Sequence, residues 1–228
     1  MKIAIIPARG GSKRIPRKNI RPFHGKPIIE YSIETALKSN LFDKVIVSTD
    51  DDLISSSLQQ FEVEVNDQRP KELSDDFATI RDVIRYEIER NKLTDDDEVC
   101  LLYSTAPLLS SANLIESHKA LEEEHVEFVL SVCEYSPPID RALQKDGNGY
   151  IRIIGESQVV SRTQDLSNSY FDAGQFCWGK VKSFVSSNEV LLANTKPYLL
   201  SQRDAIDIDT LDDWLFAEQL YKVRCGEK

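Results

Sequence analysis

An α/β fold is predicted, with a mainly parallel sheet flanked by helices. Three observations carry that prediction. Short apolar runs at residues 3–6, 44–49, 98–105 and 127–133 have the length and composition of buried strands. Segments with apolar residues at helical spacing lie between them, so strand and helix alternate along the chain. Polar or glycine-rich residues follow several runs, at the carboxyl edge where ligands gather in open α/β sheets.

The elements follow in order. Residues 3–6 form the first strand, which Pro7 should end. Gly10 and Gly11 carry no Cβ, so the backbone can turn sharply and approach a ligand. N–H groups in such a turn form a concave anion site. Pro27 fits the first turn of a helix with Ile29, Ile33, Ala36 and Leu37 as its apolar stripe and Asn40 at its end. The strand at 44–49 runs into Asp50, Asp51 and Asp52. A helix with Ile54, Leu58 and Phe61 on one face and a short strand at 62–65 come next. Arg69 and Pro70 open a polar loop to Asp76, and residues 79–91 form a helix with Ile80, Val83, Ile84 and Ile88 inward. The strand at 98–105 puts Tyr103, Ser104 and Thr105 at a carboxyl end, and a helix at 112–124 precedes the strand at 127–133.

The pattern then breaks at Pro137-Pro138. Asp146-Gly147-Asn148-Gly149 between strand-like runs signals a hairpin. Residues 136–170 therefore read as an insertion within one domain spanning 1–228, of the kind that meets a partner or lids a site. Residues 171–179 return to the sheet. Residues 206–209 are expected as a short strand with Asp207 and Asp209 on the same face. Thr210 and Asp213 form a capping box with Asp in place of Glu. The closing helix is expected to bury Leu211, Trp214, Leu215 and Tyr221.

At 228 residues the chain holds one full core. It has no apolar run long enough for a bilayer, and its N-terminus does not read as a signal peptide, so a cytoplasmic protein is expected. Cys100, Cys133, Cys177 and Cys225 lack metal or redox spacing; the first three are expected as buried thiols. His24, His118 and His125 are scattered, and the last two read as surface residues. A sequence pI near 4.9 argues against general nucleic-acid binding.

Charge is unevenly placed. Of 28 Lys and Arg against 38 Asp and Glu, eight cations precede Glu30, and no acid does. A cationic glycine loop after a buried strand, on an acidic protein, suits a polyphosphate. A solvated basic loop is the plain alternative. The loop is neither a Walker A sequence, since Pro27 follows Gly25-Lys26, nor a G-x-G-x-x-G fingerprint. Asp207 and Asp209 taken alone could be a solvated strand end. Beside a phosphate loop they suggest a Mg²⁺ site, because Mg²⁺ favours one or two carboxylates with phosphate and water oxygens.

Ile-Pro-Ala-Arg-Gly-Gly-Ser-Lys-Arg-Ile-Pro-Arg-Lys-Asn, ending at Asn19, closely resembles the opening motif of the acylneuraminate cytidylyltransferases (CMP-sialic acid synthetases). Val-Ile-Val-Ser-Thr-Asp-Asp (45–51), Arg69-Pro70-x-x-Leu73 and Asp207-Ile-Asp209-Thr match in the same order, over nearly the whole chain. Tyr103-Ser-Thr-Ala-Pro-Leu, Asp172-Ala-Gly-Gln-Phe-Cys-Trp-Gly and Asp140-Arg-Ala-Leu depart from the sialic-acid pattern and resemble the branch that activates pseudaminic acid.

The resemblance implies a nucleotide-diphospho-sugar transferase (Rossmann-like) sheet and transfer of CMP from CTP to a nine-carbon acidic sugar. Arg9, Ser12 and Lys13 would hold the triphosphate, helped by Gly10, Gly11 and Lys18; Ala8 and Asn19 would read cytosine. Arg69, Asp76 and Thr79 match a nucleotide-side segment. Tyr103, Thr105 and Gln175 would line the sugar pocket, and Arg162 and Gln164 would reach the sugar acid across a homodimer built on residues 136–170. Asp207 and Asp209 would carry Mg²⁺, with Arg9, Lys13 and Asp209 as the catalytic set. A CMP-N-acetylneuraminate or CMP-legionaminate synthetase and a non-catalytic sugar-nucleotide-binding protein are the alternatives.

Overall fold

A computed structural model describes residues 1–67, 69–154, 166–186 and 189–226. The first strand, β1 (Lys2–Ala8), runs through Pro7 rather than stopping there. The proline is tolerated because the neighbour on one side pairs with β1 only as far as Ile5. Two short strands, β2 (Pro22–Phe23) and β3 (Lys26–Pro27), lead into α1 (Ile28–Ser39), which Asn40 ends in the left-handed conformation at φ 52°. β4 (Lys44–Thr49), α2 (Asp52–Ser57) and β5 (Glu64–Asn66) follow. β5 starts two residues later than the sequence suggests. It covers only the end of β4, pairing Ile46 to Ser48 with Glu64 to Asn66.

Next come α3 (Ile80–Arg90), β6 (Glu98–Leu102), α4 (Ser111–Leu121) and β7 (Phe128–Glu134). The predicted hairpin forms as β8 (Leu143–Lys145) and β9 (Ile151–Ile153), with Gly149 at φ 87° in its turn. The chain re-enters the sheet as β10 (Tyr170–Lys180) and continues through α5 (Val181–Ser186), β11 (Thr195–Leu199) and α6 (Leu211–Cys225).

Seven strands form one sheet in the order β11-β7-β10-β6-β1-β4-β5. It is parallel except for β10, which lies antiparallel between β6 and β7. The chain leaves β7 for the hairpin excursion and comes back at the same end, with Tyr170 opposite Glu134, so it must enter the gap reversed. Side chains alternate between faces. Ala4, Ile6, Val45, Val47, Cys100 and Trp178 pack under α1, α2 and α4, and Ile3, Ile5, Ile46, Val99 and Cys177 pack under α3 and α5. Cys100, Cys133 and Cys177 are buried as expected, and Cys225 is exposed. Among the described residues, no helix is long and apolar enough to cross a membrane.

A third cluster decides where the last acidic segment sits. Ile15, Phe23, Ile28 and Tyr31 pack against Ile208, Trp214 and Ala217. Residues 206–209 are not a strand. The fully buried Ile208 instead fastens the segment and leaves Asp207 and Asp209 on either side of the anchor. The capping box of Thr210 and Asp213 forms and starts α6, yet Leu211 and Leu215 are about half exposed, while Trp214 is buried. Trp214 dominates because its ring meets Phe23 edge-on at 5.5 Å. His118 also differs from expectation. It is buried, with Nε2 2.8 Å from Glu98 and its ring edge-on to Trp178.

Candidate active site

The cationic loop is held open by its neighbours rather than by unusual glycine dihedrals. Neither Gly10 nor Gly11 has a positive φ; the left-handed residue of the loop is Arg17, at φ 54°. The Gly10 N–H donates to Asp50 Oδ1 at 3.0 Å, and a Cβ on Gly10 would stand 2.2 Å from Asp51 Oδ2. Asp51 also caps α2, accepting from the N–H groups of Leu53 and Ile54. Fully buried Ile15 roots the middle of the loop. At its end, Asn19 donates from Nδ2 to the Arg9 carbonyl (2.9 Å) and accepts from Ser104 Oγ (2.7 Å).

Gly10→Ala is expected to cost about 1–3 kcal/mol of stability through this overpacking. It should weaken anion binding by the loop as well, because Asp51 cannot move without giving up the α2 cap. Thermal denaturation with nucleotide titration checks both.

The loop forms one wall of a cleft of about 530 Å³. Arg9, Ser12, Lys13, Arg14, Lys18 and Asn19 line it from the loop. Arg69, Asp76, Thr79 and Ile80 line it from the next crossover, Tyr103 and Thr105 from the exit of β6, and Asp209 from the far side. Ile80, expected in the core, thus faces the cleft and is 36% exposed. Arg69 is buried with its guanidinium on the Ser48 carbonyl, Ser74 Oγ and Asp50, which fixes the turn into the cleft.

The cations are paired. Lys13 bonds Asp76, and Arg9 Nη1 donates to the Asp75 carbonyl at 2.8 Å and lies 3.4 Å from Asp76. Arg14 pairs with Asp209, and Lys18 Nζ donates to the Ile208 carbonyl at 2.6 Å. Burial of Lys18 pulls its pKa down, partly offset by Asp209 and Asp207. The two lysine-bearing ends of the loop therefore reach Asp76 and the acidic segment, far apart in sequence.

Several predicted residues lie elsewhere. Ala8 is fully buried in β1, and Gly10, Gly11 and Asp207 are not among the cleft-lining side chains. Gln175 is buried behind the cleft, with Nε2 donating to the carbonyls of Ala173 (2.8 Å) and Ile206 (3.3 Å) and Oε1 without a partner among the described residues. It ties β10 to the acidic segment. Arg162 and Gln164 lie outside the described residues.

Sequence reasoning missed Asp50, Asp51 and Ser104 as supports of the loop. Three aspartates directly after a buried strand were the available signal, since the next strand in a parallel sheet ends beside the first.

Asp207 opens to solvent, yet the protein around it displaces enough water to push its pKa up, and neighbouring Asp209 adds to the rise. Gly174, at φ 61°, lets the chain pass close: a Cβ there would lie 3.1 Å from Asp207 Cγ. The raised pKa sets the sign of two effects. The folded state holds the Asp207 proton more tightly than the unfolded chain, so this group costs stability as pH rises from the ordinary carboxylate range through the raised value. Asp207→Asn should therefore gain on wild type at pH 7 and not at pH 4. A divalent metal held by this carboxylate would show its acid limb above the ordinary carboxylate range. Melting curves and metal titrations across pH check these expectations.

The carboxylates fit a hard dication. Asp207 and Asp209 are near enough to repel each other, and both offer oxygen donors. Among the described residues, no group of three or more His, Cys, Asp or Glu side chains could cage a metal ion. A metal held here would thus draw further oxygens from phosphate and water, as Mg²⁺ commonly does.

Comparison with known proteins bears on this site. Residues 3–197 match the family described as cytidylyltransferase. A pseudaminic acid cytidylyltransferase of Campylobacter jejuni is 40% identical over 225 residues, covering 97% of this chain and 96% of that protein. An N-acylneuraminate cytidylyltransferase of Streptococcus agalactiae is 31% identical over 93% of this chain and 51% of its own length. In fold, a CMP:2-keto-3-deoxy-manno-octonic acid synthetase solved with CTP superposes with a TM-score of 0.68 at 16% identity, over 98% of this chain and 99% of that one. The match across residues 3–197 and the near full-length identity to the Campylobacter enzyme make this chain a member of the cytidylyltransferase family.

Proposed function

We propose that this protein transfers CMP from CTP to the anomeric hydroxyl of pseudaminic acid, releasing pyrophosphate and giving CMP-pseudaminic acid. The observation that carries the substrate is the 40% identity to a pseudaminic acid cytidylyltransferase along almost its whole length. The sugar hydroxyl attacks the α-phosphorus of CTP, the bond from that phosphorus to the bridging oxygen breaks, and the hydroxyl proton is lost to solvent or a nearby base.

Arg9, Ser12 and Lys13 hold the triphosphate, with Lys18 and the Gly10–Gly11 backbone beside it. Asn19 faces the base, and Arg69, Asp76 and Thr79 bound the nucleotide end. Tyr103 and Thr105 shape the sugar end at the exit of β6, with Gln175 fixing the wall behind. Asp207 and Asp209 would hold Mg²⁺, which when bound neutralises charge building on the phosphates. The carboxylate of the sugar suits a guanidinium fork such as that of Arg162.

The insertion at 136–170 is read as a dimerisation element. Its hairpin leaves Leu143, Tyr150 and Ile151 more than half exposed, which suits burial against a second copy. The reaction is assigned to the cytoplasm.

Incubation with CTP, Mg²⁺ and a panel of nonulosonic acids, with mass detection of product, tests the reading. CMP-pseudaminate should form fastest. Turnover of N-acetylneuraminate or legionaminate without pseudaminate would overturn the substrate. CTP binding with no pyrophosphate release for any acid would overturn the activity.

A further inference from the structure

The Arg14 side chain is the cation that sits where the metal is proposed to go. Its guanidinium forks onto Asp209, with Nη1 2.7 Å from Oδ2 and Nη2 2.7 Å from Oδ1. Both carboxylate oxygens are therefore engaged in the parallel, two-point geometry that arginine forms best. Asp207 has no cation within ion-pairing distance among the described residues, so the acidic pair is blocked at one member only. Lys18 does not duplicate the contact, since its ammonium is committed to the Ile208 carbonyl at 2.6 Å and stands 3.9 Å from Asp209.

We propose that Arg14 is a placeholder on Asp209: it neutralises that carboxylate in the nucleotide-free protein and must leave before a divalent cation can use it. The proposal rests on the metal reading of Asp207 and Asp209 given above.

Two features make the exchange workable. The Arg14 and Asp209 side chains are 67% and 36% exposed, and an ion pair that water reaches contributes little net free energy, so it opens readily. Arg14 also lines the cleft itself. A released guanidinium is then already beside the triphosphate, where its charge is again compensated. Metal entry and nucleotide entry become linked through one side chain, and such linkage acts equally in both directions. Without the placeholder, repulsion between Asp207 and Asp209 in the empty site would be offset by Lys18 with no help from Arg14.

The test is Mn²⁺ binding to the full, nucleotide-free chain, read by electron paramagnetic resonance. Arg14→Gln should tighten Mn²⁺ binding roughly three- to tenfold, the scale set by loss of an exposed but forked ion pair. Arg14→Lys, a point charge without the fork, should fall between. Arg17→Gln removes an equal charge from the same loop and should change affinity less than twofold. In the Arg14→Gln background, Asp209→Asn should reverse the gain.

Unchanged or weaker Mn²⁺ binding in Arg14→Gln, or an equal gain in Arg17→Gln, would overturn the placeholder. If that happens while Asp209→Asn still weakens binding, the metal site stands and only the placeholder falls. Mn²⁺ binding indifferent to Asp209→Asn in both backgrounds would remove the metal reading, and the placeholder with it.

Discussion

Asp209→Asn is expected to lower kcat about a hundredfold or more, the scale at which a lost transition-state charge contact registers. The fold should survive. Among the described residues the side chain pairs only with Arg14 and Lys18. The backbone N–H that donates to Asp213 Oδ2 at 3.1 Å is kept, and the Thr210–Asp213 capping box that starts α6 does not involve the residue's carboxylate. Asparagine keeps the volume and one carbonyl oxygen but loses the charge that a dication needs. The measurement is steady-state turnover at saturating CTP and Mg²⁺ beside a melting curve. Full turnover with an unchanged melting curve would remove Asp209 from the chemistry.

Lys13→Ala is the second large effect, roughly 10- to 100-fold in kcat/KM, as expected for a charge-assisted contact to phosphate. Lys13 is 78% exposed and its ion partner is Asp76, so stability should change by less than about 0.5 kcal/mol. The loss should divide between KM for CTP and kcat. Charge on the phosphates is present in the ground state and grows on the leaving pyrophosphate as the bond breaks. A change in KM alone would make Lys13 a binding residue and not part of the barrier. Lys13→Arg is expected to restore charge but not placement. Asp76 gives the contrast: its carboxyl is held below the usual range chiefly by its bond to Lys13, a pair that the proposed triphosphate contact would have to open.

Much of the fold was legible because burial leaves a local mark. Buried strands such as β4 must be apolar on both faces, and α1 must carry its stripe at 3.6-residue spacing, whatever lies around them. The caps at Asn40 and Thr210 are likewise local, since they satisfy backbone groups within a few residues. Reading failed where a distant partner decided the outcome. His118 looks like a surface residue in sequence; only the arrival of Glu98 and Trp178 makes it a core residue. Leu211 and Leu215 look like core, but the space against Phe23 goes to Trp214. The reversed strand β10 follows from where the excursion ends, which no local pattern records.

The same division runs through the site. Composition and motif alone determined an anion-seeking loop after a buried strand, a pair of aspartates near the far end of the chain, and an alternating α/β frame to carry them. Side-chain chemistry and periodicity act over a few residues, so a linear reading can reach that far. Only the tertiary structure decided that buried Ile208 rather than a strand anchors the aspartates, that Asp50 and Asp51 prop the loop, and that Arg14 closes on Asp209 from 195 residues away. Those contacts depend on which strand ends lie side by side, and that is fixed by packing the sheet as a whole.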